Sequence, residues 1–111
     1  MIKVNWDVEE LVALIDIYRK SITSETIDTD TELKSLADRL AKRADKLGIE
    51  HDEKFRNYNG MKMMFQNVAF IATDGKKGLS AASMGMQKVY SLLVTNPDVF
   101  DMILEEFNQR Y

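Results

Sequence analysis

Within the stretch "FRNYNGMKMMFQNVAFI", Phe55 to Ile71, Asn59, Lys62, Gln66 and Asn67 have the chemistry to read the edge of a nucleobase. A side-chain amide matches the donor and acceptor of adenine in the major groove, and a lysine matches the acceptors of guanine. Lys54 and Arg56 just before the helix this stretch forms, and Lys76 and Lys77 beyond it, are suited to gripping phosphates on either side. A helix advances about 100° per residue, which gathers Lys62, Met63, Gln66, Asn67 and Phe70 on one side and Met61, Met64, Phe65, Val68 and Ala72 on the other. The second group reads as core. The first group is mixed, because burying Met63 and Phe70 is worth roughly 1.5 to 3 kcal/mol each. The same side therefore suits DNA reading, packing beneath later helices or contact with a protein partner.

Other chemistries find no support in the residues. There are no cysteines, which excludes disulfides, thiolate metal sites and cysteine nucleophiles together. The lone histidine, His51, stands beside Glu50, Asp52 and Glu53 in "GIEHDEKF", without the spaced ligands of a zinc or calcium site, and reads as part of a solvated loop. No catalytic triad order, phosphate-cradling glycine loop or HExxH pattern occurs. A non-enzymatic chain with no metal and no cofactor is expected.

The 111 residues, 45% hydrophobic and 30% charged with one proline and five glycines, are the size and composition of one globular domain spanning 1–111. The formal net charge is −3, but its distribution is uneven. Between Lys54 and Lys88, Lys54, Arg56, Lys62, Lys76, Lys77 and Lys88 face a single acid, Asp74. Acids dominate from Glu25 to Glu32 and from Val89 to Tyr111. A local basic field can bind phosphate in a protein that is acidic overall. No run approaches the ~20 apolar residues of a membrane span and the start lacks a signal-peptide pattern, so a cytoplasmic protein without membrane contact is expected.

Five helices are expected to position these residues. Asp7 and Glu10 form a capping box and Trp6 and Leu11 a hydrophobic staple, starting a helix that runs from about Val8 to Lys20. Its stripe is Val8, Leu11, Val12, Ile15 and Tyr18, widened by Leu14. The Ser- and Thr-rich "SITSETIDTDT" reads as a loop. Thr29 and Glu32 suggest a second capping box, for a helix carrying Leu33, Leu36, Leu40, Ala44 and Leu47 on its apolar side, with Arg43 among its outward charges, and ending at Gly48. Asn57 caps a third helix extending to about Ala72. "TDGKKGLS" is a glycine-bearing loop, "AASMGMQKVYSLLV" a fourth helix, and Asn96 caps a fifth with Pro97 at its first position and Val99, Phe100, Ile103 and Phe107 inward. No segment alternates as a strand does. The expected fold is all-α: a single compact five-helix domain with a helix-turn-helix-like first half.

These segments resemble a known family. "NWDVEELVALIDIYRK" is similar to the opening helix of the small helical N-terminal domain of bacterial HNH-type restriction endonucleases, in its tryptophan, paired glutamates, leucine-rich run and tyrosine. Arg56, Asn57, Asn59, Gly60, Met63, Gln66 and Asn67 match a second signature of that domain, and "GKKGLS" followed by Tyr90 and Asn-Pro a third. Met64 and Ala69 stand where basic residues are frequent, and Tyr58 where proline is. The resemblance implies a domain that recognises or positions DNA beside a nuclease. With one histidine in the chain, no HNH nuclease is expected within it.

Two functions are therefore expected in competition. One is a non-catalytic DNA-binding module of bacterial or phage defence and restriction systems, contacting double-stranded DNA through Lys54, Arg56, Asn59, Lys62, Gln66, Asn67, Lys76 and Lys77. The other is a stand-alone protein-binding domain, such as a phage-encoded inhibitor of a host nuclease or effector complex, using acidic ends and exposed methionines. The sequence leaves a homodimer open.

Overall fold

A computed structural model describes residues 5–24, 26–78 and 82–111, and among these the elements are α1 (Val8–Thr23), α2 (Thr29–Lys46), α3 (Tyr58–Ala72), α4 (Met84–Thr95) and α5 (Pro97–Arg110), with no strand. The fold is an all-α single domain. Glu25 of the acidic run, Leu79 and Ser80 of "GKKGLS", and Ala81 at the expected start of the fourth helix lie outside the described residues. No helix among the described residues is long and apolar enough to cross a membrane.

α1 is the centre of the domain. Nine consecutive residues, Glu10 to Tyr18, are buried, and α1 touches each of the other four helices. This corrects the single inward stripe expected from its sequence. Val8, placed in that stripe, is half exposed, whereas Ala13, Ile17 and the charged Glu10 and Asp16 are buried. A central helix is usually apolar all round. Here Asp16 is tolerated because Arg19 and Lys20, one turn on, bring their charges to 2.6 and 3.3 Å.

The other helices surround α1 in chain order. α2 touches α3, α3 touches α4, and α4 touches α5. Arg39 closes the ring from α2 to the end of α5, donating to the Tyr111 carbonyl at 3.2 Å and the Asn108 amide oxygen at 2.7 Å. α3 and α5 thus lie across α1 from one another, with no contact between them.

Local chemistry fixes the boundaries. The Asp7–Glu10 capping box has both of its hydrogen bonds, at 3.0 and 3.1 Å. α2 is capped one residue earlier than expected: Asp28 accepts both the Thr31 backbone amide and hydroxyl, contacts that no side chain of Thr29 makes. Gly48, at φ 72, ends α2 in a Schellman motif, with Gly48 N–H donating to Asp45 and Ile49 N–H to Ala44. Asn57 caps α3 by accepting the Gly60 amide at 2.8 Å. α4 starts at Met84 because Ser83 accepts the Met86 amide, and Asn96 makes no side-chain cap for α5.

Candidate functional site: the outer face of α3

Four side chains of α3 point into solvent together. Asn59, Lys62, Met63 and Gln66 line an open groove of about 340 Å³, and Met63 at its middle is 60% exposed. Lys62 and Gln66 also line the adjoining groove against α2, beside Thr29 and Asp30. The helix is held by its other side, where Met61 and Val68 are fully buried and Phe65 rests against the ring of Tyr18.

Tyr58 organises one edge of this face. Its hydroxyl donates to Asp30 at 2.6 Å, which pushes the phenol above its ordinary range, and the ammonium groups of Lys34 and Lys62 sit 5.0 and 5.4 Å from its ring centre. Lys34 was not foreseen as part of the face. It belongs to the charged side of α2, and no local signal ties it to a tyrosine 24 positions later.

The face is flanked by exposed lysines. Lys54 stands in the turn before α3, and Lys76 and Lys77 in the loop after it. None of Lys34, Lys54, Lys62, Lys76 or Lys77 has a carboxylate within 4.0 Å among the described residues. That loop is anchored: Thr73 donates its hydroxyl to the Ala69 carbonyl and accepts the Lys77 amide, and Asp74, at φ 54, ends the helix in a second Schellman motif.

Two residues expected on this face are employed elsewhere. Arg56 is a buried strut. Its guanidinium grips the Glu10 carboxylate with two bonds, Nε to Oε2 at 2.7 Å and Nη2 to Oε1 at 3.0 Å, and lies between the rings of Trp6 and Phe55 at 4.5 and 4.4 Å. Its backbone is left-handed, at φ 49, a strain of about 1 to 3 kcal/mol for a non-glycine residue that these contacts offset. A phosphate cannot reach a guanidinium so occupied. Asn67 is 6% exposed, and its amide oxygen has no partner among the described residues while the nitrogen donates weakly to the Met64 sulfur at 3.8 Å. In the loop after α3, Gly78 packs against the helix backbone between Gln66 and Phe70.

Because the Asn67 oxygen is buried without a partner among the described residues, Asn67→Leu is expected to leave stability unchanged or raise it by up to about 1 kcal/mol. Urea denaturation checks this; a loss above 2 kcal/mol would indicate a hidden partner for the amide.

The start of α1 follows the same logic as Arg56. Arg43, expected outside, is buried and pairs with Asp7 at 2.8 Å and Glu9 at 3.2 Å. Trp6, Asp7, Glu9 and Glu10 are thereby all engaged in holding α2 and the 47–57 connection against the first turn of α1. His51, in that connection, meets Asp45 at 2.7 Å and the Phe55 ring at 4.8 Å. The Asp52 carbonyl and then the Asp45 carboxylate raise its pKa above the ordinary 6.5. A raised folded-state pKa contributes stability that is complete below the unfolded value and lost as pH rises through the folded one. Thermal stability is expected to fall slightly as pH is raised through and above 6.5, with a smaller fall in His51→Gln.

Compared with protein-family models, curated proteins and solved structures, the chain matches none. The fold and the site define it as a five-helix domain built around a central helix, with one exposed, lysine-flanked helix face.

Proposed function

We propose that the outer face of α3 binds double-stranded DNA, in a non-catalytic module of the kind that accompanies nucleases in bacterial or phage restriction and defence. The observation that carries this reading is the alignment of Asn59, Lys62 and Gln66 on one exposed face, with unpaired lysines off both ends of the helix. α3 is 15 residues long, about 22 Å, and such a helix fits a major groove with its amides at base edges and the flanking cations at the phosphates. The resemblance to the N-terminal domain of HNH-type endonucleases supports the same assignment. Of the residues of its second signature, Arg56, Asn57 and Gly60 serve the fold, Asn67 is buried, and Asn59, Met63 and Gln66 remain available.

Fluorescence anisotropy on mixed-sequence duplex tests this. With Lys54, Lys62, Lys76 and Lys77 on phosphates, log affinity is expected to fall against log salt with a slope of about −3.6, or about −4.5 with Lys34 as a fifth contact. Lys62→Ala reduces the slope by about 0.9. Absence of binding at low salt, to plain or modified duplex, refutes the reading.

A second reading rests on Met63. An exposed methionine at the middle of the face adapts to irregular protein surfaces, as in a stand-alone domain that occupies a nuclease or effector subunit. It predicts that Met63→Ser abolishes a complex that survives nuclease treatment, with no effect of the flanking lysines on its salt dependence.

A further inference from the structure

The face of α5 mirrors that of α3 with the opposite charge. Met102 is 61% exposed, and the exposed carboxylates of Asp98, Glu105 and Glu106 stand four residues before it and three and four after it, the spacing that gathers side chains on one helical face. None of these three carboxylates has a cation within 4.0 Å among the described residues. On α3 the exposed Met63 has Lys62 beside it and the lysines of the flanking loops beyond. The two faces lie on opposite sides of α1 and so cannot meet within one molecule.

We propose that the acidic α5 face of one copy docks on the basic α3 face of a second, methionine against methionine and carboxylates against lysines. The occupant is another copy of this chain because both halves, of opposite charge, are present on it. An interface that joins two different patches on opposite sides is heterologous and does not close on itself, so copies add head to tail. One helix face against another buries less than the roughly 800 Å² per partner of a stable complex, so the association is weak and grows with concentration. It depends on charge, and added salt dissolves it. It also competes with any polyanion for α3, since the carboxylates of α5 occupy the same lysines.

Sedimentation velocity on the full chain provides the test, first at about 20 mM and then at about 500 mM salt, on either side of the regime where exposed charges are screened. At low salt the average mass is expected to rise continuously with concentration, past that of a dimer, and to return to monomer at high salt. K62E removes the receiving face and E105Q/E106Q the docking face; each alone is expected to be monomeric, with unchanged helical circular dichroism. Mixed in equal amounts, they retain one good face each and are expected to form a one-to-one pair that grows no further. A chain monomeric at every concentration in low salt overturns the proposal, as does self-association that neither variant weakens. DNA binding is read separately by anisotropy, so either result stands without the other.

Discussion

Glu10→Ala is expected to destabilise the domain by about 3 to 5 kcal/mol, the cost of stranding a buried charge. Glu10 is 2% exposed and accepts both bonds from Arg56, and the same carboxylate accepts the Asp7 amide that completes the cap of α1. Removing it leaves a guanidinium between two aromatic rings without its carboxylate, and takes two bonds from a residue whose backbone is left-handed. Replacing both partners by apolar residues of similar length, Glu10→Met with Arg56→Met, is expected to recover most of the loss, because no charge is then left unpaired. Chemical denaturation of Glu10→Met, Arg56→Met and the double variant gives the coupling directly. A loss below about 1 kcal/mol for Glu10→Ala would show that water reaches the pair.

Gly78→Ala is expected to cost about 2 to 3 kcal/mol and to free the loop from α3. At φ 86 an L side chain is strained, and its β-carbon would overlap the Gln66 carbonyl oxygen and lie 2.9 Å from the Phe70 nitrogen. Backbone cannot yield as a flexible side chain can, so the loop must lift. Gly48 provides the contrast: it is also left-handed, at φ 72, but a β-carbon there meets nothing within 4 Å. Gly48→Ala is expected to cost only about 1 kcal/mol. Hydrogen exchange distinguishes the two, with amides of the C-terminal half of α3 losing protection in Gly78→Ala while those of α1 keep it. Equal effects of the two substitutions would contradict the close contact.

Several residues that build local structure were legible in the sequence, though the caps expected at Thr29 and Asn96 do not form, and those that act across the fold were not. The capping box at Asp7, the cap at Asn57 and the stop at Gly48 depend on neighbours within a few positions, and each forms as expected. α1 could not be recognised as central, because its buried acids give it an amphipathic pattern; Glu10 is neutralised by a residue 46 positions away. Arg56 and Arg43 look like surface cations for the same reason. Asn67 shares its helix side with Gln66, yet one amide is buried and the other exposed, a difference made by tertiary packing that helical spacing does not carry. The resemblance to the endonuclease domain pointed at a mixed set: residues that serve packing, and residues with no packing role that lie together on α3.

The central claim is that this remaining set forms a working face. Titrating the isotope-labelled protein with a duplex at low salt and following amide and side-chain resonances tests it most directly. The account predicts shifts at Asn59, Lys62, Met63 and Gln66 and in the loops carrying Lys54, Lys76 and Lys77, with Arg56 and Asn67 unmoved. Shifts confined to α5, or none at DNA concentrations well above that of the protein, would contradict it.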